Sequence, residues 1–316
     1  MKDAYDLIGD LHGEAEKLRT LLGRLGYRKK NGAYRHPKGR RAIFLGDFID
    51  RGPEVRETLR LVRGMIDAGT ALAVMGNHDY NAIGYHTPDG RGGWLRPRNE
   101  NNHRMHRVTL EAFEDHDKEW RGWIEWLKTL PLFLDLGSLR VVHACWHPRA
   151  IEVLGGSNRF SPDLLREKNP KCSARARAAN LLLKGLELPL PGGSSYLRRG
   201  IPHHDFRAAW WANPCGKTCR ELALPAMPEI PDRPPREEDL GRFPGYPADA
   251  PLCFVGHYGY PKPPAPMAPN VACVDFAVAG GGTLGAYRWD GERRIDPRKF
   301  VLLPGPSPLE WRPSKS

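Results

Sequence analysis

The chain lacks any long apolar run. Nowhere in its 316 residues does hydrophobic sequence approach the ~18 residues of a membrane span. The N-terminus, Met1-Lys2-Asp3-Ala4-Tyr5, passes almost at once into a short apolar stretch ending at Gly9-Asp10, without the length or cleavage site of a signal peptide. A cytoplasmic location, away from membranes, is therefore expected. Cysteine is sparse: Cys145, Cys172, Cys215, Cys219, Cys253 and Cys273 are too few for a disulfide scaffold in a chain of this length. Cys215 and Cys219 form a C-x3-C pair, but no second close pair completes a four-ligand zinc site, so reduced thiols are expected. No internal repeat is present. A P-loop is absent too. Gly216-Lys217-Thr218 ends like one, but Trp211 stands where its first glycine belongs, and Pro214 and Cys215 precede the turn.

What the chain does have is positive charge and a strand–helix rhythm. Lys and Arg total 48 against 37 Asp and Glu, a formal charge of +11 that suits phosphates or nucleic acid and equally serves solubility. Hydrophobic residues, 40% of the chain, suffice for a buried core. Tyr5 to Ile8 reads as a buried strand, and Leu18, Leu21, Leu22 and Leu25 repeat at helical spacing. Ala42 to Leu45 is the next strand. Val55, Leu59, Val62 and Ile66 line a second helix behind Pro53, and Ala71 to Met75 is a third strand. This alternation predicts a layered α/β sheet. Residues 103–130 read as one Trp-rich helix, and the strands around Gly137-Ser138 as a hairpin. Residues of about 150–250 hold helical pieces, charges and clustered prolines. They read as a cap-like insertion over the site that supplies no central strand. Strands resume at Cys253 to Val255, Ala272 to Val278 and Leu284 to Trp289. One domain is expected over 1–303, with a disordered tail over 304–316.

Three glycine-containing motifs each follow a predicted strand: Gly9-Asp10-Leu11-His12-Gly13, Gly46-Asp47-Phe48-Ile49-Asp50-Arg51-Gly52 and Gly76-Asn77-His78-Asp79. In open α/β sheets, ligands bind outside the carboxyl ends of strands, so these polar side chains converge on one rim. His143 and His257 close two later strands in the same way. Singly, such residues are turn or core residues. Together, Asp10, His12, Asp47, Asn77, His143 and His257 can hold two divalent ions. Asp47 is the natural bridge, with Asp10 and His12 on one ion and Asn77, His143 and His257 on the other. Mixed nitrogen and oxygen donors favour manganese, iron or zinc over calcium.

With these motifs the chain resembles the calcineurin-like metallophosphoesterase superfamily, in the branch of serine/threonine protein phosphatases and bacterial symmetrical diadenosine tetraphosphatases. The signatures GDxHG, GDxxDRG and GNH[ED] are matched by residues 9–13, 46–52 and 76–79. Asp79 stands where many protein phosphatases have Glu, and His143-Ala144-Cys145 where eukaryotic enzymes have His-Gly-Gly. Both departures favour a bacterial-type enzyme. The resemblance implies an α/β/β/α sandwich with a two-metal site, Mn²⁺ first among the candidate ions. It implies a phosphohydrolase in which a metal-bridging hydroxide attacks phosphorus in line. His78 would protonate the leaving group, Asp50 would hold that imidazole, and Arg51 would bind phosphate oxygens. Asn77 serves substrate as well as metal, and Arg207 is the candidate second phosphate clamp. His147 and Tyr258 are pocket or core. The expected substrate is a nucleotide such as a dinucleoside tetraphosphate. A phosphoprotein, a nucleic-acid end or a 2′,3′-cyclic phosphate are alternatives, and a nucleic-acid binding module with a vestigial metal site is the non-enzymatic one. Oligomeric state is left open.

Overall fold

The apolar residues of the strands alternate between two cores, as period-two side chains must when both faces of a sheet are covered. The computed structural model describes residues 4–166, 173–198, 201–225, 227–259 and 264–304. One sheet runs in the order Asp275–Phe276, Thr283–Trp289, Tyr5–Ile8, Arg41–Phe44, Ala71–Ala73, with Phe300–Leu302 also pairing to Thr283–Trp289. Its last three strands are parallel, with Leu7 opposite Ile43 and Ile43 opposite Leu72. The second sheet runs Val271–Cys273, Leu252–Val255, Leu139–Val142, Phe133–Asp135; its first three strands are parallel and the last closes the expected hairpin.

Leu7, Ile43, Leu139, Val141, Phe254, Ala272 and Tyr287, drawn from both sheets, form one fully buried cluster, so the sheets stack face to face. The opposite faces, through Ile8, Ala42, Phe44, Val142 and Val255, join a second core shared with the helices. Helix Ala15–Leu25 buries Leu18, Leu21, Leu22 and Leu25, and helix Val55–Asp67 buries Val55, Leu59 and Val62. Each such side chain contributes about 1.5–3 kcal/mol of apolar burial. Helix on sheet, sheet on sheet and sheet on helix make the expected α/β/β/α sandwich. No helix among the described residues is long and apolar enough to cross a membrane.

One local reading differs from expectation. The single helix over 103–130 is two, Glu100–Ala112 and Asp117–Leu127, because Asp115 turns left-handed at φ 62° between them. Helix Asn77–His86, which the sequence pattern did not assign, opens on the third motif. Within 150–250, helix Ser173–Lys184 belongs to the core: its Leu182 carbonyl accepts from the backbone N–H of Ala144 and Cys145. Trp210 is fully buried, and its Nε1 donates to the Ala144 carbonyl. The strands there, Leu186–Pro189 with Asp205–Ala208 and Tyr196–Arg198 with Ile201–His203, form two-stranded ribbons outside both sheets. The tail from residue 305 lies outside the described residues.

Candidate metal centre

The first three motifs are sewn together by their backbones. Leu11 N and His12 N both donate to Asp47 O, and Gly13 N donates to Phe48 O. The buried Asp79 carboxylate accepts from Asp47 N, Phe48 N and Gly76 N, clamping the second loop to the third. Of the eight non-glycine residues with positive φ among those described, five sit here: His12, Asp47, Asp50, Arg51 and His257. Left-handed backbone costs each of them of order 1–3 kcal/mol and is tolerated where the surroundings enforce it. The motif glycines answer to space. A Cβ on Gly76 would lie 2.1 Å from Asp47 N, and one on Gly256 would lie 2.2 Å from Asp10 Oδ1.

The six expected ligand residues meet on one rim. Asp10, His12, Asp47 and His143 are buried. His12 Nε2 lies 3.5 Å from Asp47 Oδ2, and His143 Nε2 lies 3.5 Å from Asp47 Oδ1. Asn77 Oδ1 is 2.9 Å from His143 Nε2 and 2.8 Å from His257 Nδ1. His257 N points at both Asp10 oxygens. Donor atoms of His12, Asp47 and His78 lie within 4.8 Å of one another, as do those of Asp10, Asp47 and His143. Asp47 is common to both groups. By proximity alone Asp10 groups with His143, and His78 with His12. His78 comes close because its own backbone N–H donates to Asp47 Oδ1 at 2.8 Å.

The donor chemistry fits divalent cations. Nδ1 of His12 bonds the Ile49 carbonyl at 3.0 Å, and Nδ1 of His143 bonds the Leu45 carbonyl at 2.6 Å. Each ring is thereby held through Nδ1 with its Nε2 facing Asp47, the arrangement of metal-bound histidines. Burial pushes His12 down to about 3, and burial with Arg207 nearby pushes His257 well below its usual range, so both are neutral as a ligand must be. His257 Nε2 is buried without a hydrogen-bond partner among the described residues. Asp10 is raised well above the carboxylate range by burial and by repulsion from Asp275 and Asp47. Burial would raise Asp47 too, but the imidazoles of His143, His78 and His12 hold it below that range. Crowded, buried carboxylates of this kind are relieved by cations.

Beside this cluster stands an imidazole chain. Asp50 Oδ2 accepts from His78 Nδ1 at 2.6 Å, while Oδ1 accepts from His106 Nδ1 at 2.7 Å and from Thr109 Oγ1 at 2.6 Å. These bonds overcome burial and keep Asp50 below the carboxylate range. His106 Nε2 lies 3.2 Å from His86 Nε2. Burial pushes His78 down, but Asp47 and Asp50 outweigh it and the net shift is upward. Arg51 Nη2 lies 3.4 Å from His78 Nε2, on the far side of the ring from Asp50. Arg207 stands further off: it pairs with Glu187 at 3.4 Å and acts on His257 through its charge. His147 caps helix Pro148–Val153, and the Tyr258 hydroxyl donates to the Ala144 carbonyl, so both are structural. Sequence reasoning missed His106, Thr109, His86 and Asp275. The one available signal was His86 and His106 each recurring in a helix-forming stretch near the third motif. Asp275, whose carboxylate accepts from Gly259 N and Ala277 N, gave none.

A two-sheet sandwich thus carries carboxylates, imidazoles and an amide together on one rim, a donor set suited to divalent cations. The chain belongs to the calcineurin-like phosphoesterase family, whose sequence profile matches residues 5–175. Members of this family use divalent metals, and the His/Asp groups around Asp47 are a candidate site for them. The chain is 49% identical over 74 residues to the asymmetrical bis(5′-nucleosyl)-tetraphosphatase PrpE of Halalkalibacterium halodurans, covering 23% of this chain and 30% of that one. It is 35% identical over 139 residues to the symmetrical bis(5′-nucleosyl)-tetraphosphatase of Aromatoleum aromaticum, covering 43% and 42%. The match thus spans less than half the length of either relative. Among solved structures, a serine/threonine phosphatase of Saccharomyces cerevisiae aligns over 96% of this chain and 79% of its own, at TM-score 0.47 and 12% identity.

Proposed function

We propose that the protein is a two-metal phosphohydrolase of dinucleoside polyphosphates, with Mn²⁺ the preferred ion. Asp10, His12, Asp47, Asn77, His143 and His257 would hold the ions. Bound there, divalent cations lower the pKa of water and offset phosphate charge. The observation that carries the reading is His78 held between the Asp50 carboxylate and the space beside Asp47. In hydrolysis, a water oxygen forms the new bond to phosphorus, its proton passing to solvent, and the bond to the leaving oxygen breaks. That oxygen takes a proton from His78 Nε2, while Asp50 fixes the ring through Nδ1 and stabilises its charged form. Arg51, exposed beside His78, pairs with phosphate oxygens. Arg207 is the candidate second clamp. The nucleotide substrate is supported by the names of the two bacterial relatives and by the net positive charge.

The test is hydrolysis by the purified protein with added Mn²⁺. Its substrate panel contains p-nitrophenyl phosphate, bis-p-nitrophenyl phosphate, diadenosine tetraphosphate, a phosphopeptide and an RNA 2′,3′-cyclic phosphate. Chelator-sensitive cleavage with diadenosine tetraphosphate preferred is expected. Inactivity on the whole panel with every divalent metal, combined with tight nucleic-acid binding, would reverse the reading.

A further inference from the structure

Beyond His78 lies a cavity of about 590 Å³ that the metal centre does not use. Its volume falls in the range of small-molecule sites. Its walls come from helix Asn77–His86, from the loop 87–98 and from Lys184. The loop is a built structure. Asp89 Oδ1 accepts from Arg91 N at 2.7 Å and Gly93 N at 2.9 Å, Leu95 N donates to Thr87 O, and Arg96 N donates to Gly84 O. Gly84 allows this contact: a Cβ there would sit 3.2 Å from the Arg96 Cβ. The Arg96 guanidinium is held between the Asn81 and Asn102 side-chain oxygens at 2.9 and 2.7 Å.

Among the described residues, five cations line the cavity, Arg91, Arg96, Arg98, Arg166 and Lys184, against one carboxylate, Asp89. Arg91 and Arg98 make no salt bridge to a carboxylate among the described residues, although the Arg91 charge is felt by Asp89. Arg98 is nevertheless pre-placed: its Nε donates to the Tyr85 carbonyl, and its guanidinium carbon lies 3.4 Å from the Trp94 ring centroid and 4.8 Å from that of Tyr85. Half-buried Trp94 also lines the wall. Fixed cations with aromatic faces are the chemistry that receives a phosphate chain and a base together.

The position matters as much as the lining. A much smaller cavity is lined by Asp50, His78 and His106 of the centre and also by Asn81, Arg96 and Asn102. Those last three also wall the large cavity. Asn81 follows Asn77 by one helical turn, about 6 Å along the axis. We propose that the cavity lined by Arg91, Trp94, Arg96, Arg98 and Lys184 binds the leaving nucleotide of the substrate. It rests on the phosphohydrolase reading with His78 as the acid, since the group that receives that proton departs on the His78 side.

Calorimetric titration of ADP into the Mn²⁺-loaded protein tests it, in wild type, Arg98→Ala and Arg91→Glu. Arg91 is exposed and its charge reversal leaves folding untouched; thermal melting checks both variants. ADP affinity is expected to fall at least tenfold in each, and tripolyphosphate is expected to bind the wild type more weakly than ADP. Affinities within twofold of wild type in both variants overturn the proposal, and equal binding of ADP and tripolyphosphate overturns the nucleotide class in favour of a bare polyanion site. Cleavage of p-nitrophenyl phosphate by the wild type reads the hydrolase separately. ADP binding lost in the variants of a protein that cleaves nothing overturns the catalytic reading and leaves the cavity assignment standing.

Discussion

Asp50→Asn changes one atom in a carboxylate that three donors share. Its Oδ1 accepts from His106 and Thr109, so the amide oxygen belongs there and the amide nitrogen falls at Oδ2, opposite His78 Nδ1 at 2.6 Å. His78 must then shift its proton to Nε2 or face a donor with a donor. In either case it loses its anionic partner. A hydrogen bond to a charged group contributes about 1.5–3 kcal/mol, so the charged imidazole loses about 2 kcal/mol of support, roughly 30-fold in rate where that form is needed. The assay compares p-nitrophenyl phosphate, whose leaving group needs little protonation, with phenyl phosphate, whose leaving group needs it. The loss should concentrate on phenyl phosphate. Equal losses on both would refute the acid role. A second readout is stability against pH. Asp50 is held below its unfolded-state value, so the unfolded chain binds the extra proton first; the stabilisation is complete above about pH 4 and is lost as the pH falls through the folded value. Urea melts should show the gap between wild type and variant closing by about 1.4 kcal/mol per pH unit below pH 4. A gap that stays constant would mean the carboxylate charge does not support the fold.

Stripping the protein with a chelator and restoring Mn²⁺ should raise its stability by about 2.7 kcal/mol at one hundred times the dissociation constant, seen as a higher melting temperature. Asp47→Asn should abolish that rise, and an unchanged rise would remove Asp47 from the centre. Gly76→Ala should also lose metal-dependent stabilisation, because its Cβ meets Asp47 N at 2.1 Å, whereas Gly64→Ala, mid-helix with nothing within 4 Å, should stabilise the fold by about 0.5–1 kcal/mol. His86 is pushed down to about 3 by burial and by neighbouring His106, below its unfolded value, so it costs stability as pH falls from about 6.5 toward 3. His86→Gln should flatten that part of the stability profile, and an unaltered slope in denaturant titrations would show that His86 titrates as freely folded as unfolded.

The strand segments, the helices between them and the rim of polar side chains were legible because each has a local signature. Leu18 to Leu25 repeat at helical spacing, and Asp10, Asp47 and Asn77 each follow a glycine that ends an apolar strand. Pairings made by tertiary contact alone had no such signature. His106 reaches Asp50 across 56 residues, from a helix whose sequence shows only that it is helical. The split at Asp115 was hidden because helix periodicity continues across a single left-handed residue. The core contacts of the segment 150–250 were hidden for a physical reason as well. Its prolines rule out central strands, yet they do not prevent Leu182, Leu183 and Trp210 from packing into the core, since burial needs apolar area and not a ladder of hydrogen bonds. The same distinction bears on the acid. The motif supplies His78 and Asp50, but the second oxygen of Asp50 is filled by His106 and Thr109 from Glu100–Ala112, and a buried carboxylate left half-satisfied would swing or take up a proton. The orientation of the His78 ring is therefore a property of a helix outside all three signatures, and the loop that precedes that helix is the one that shapes the basic cavity.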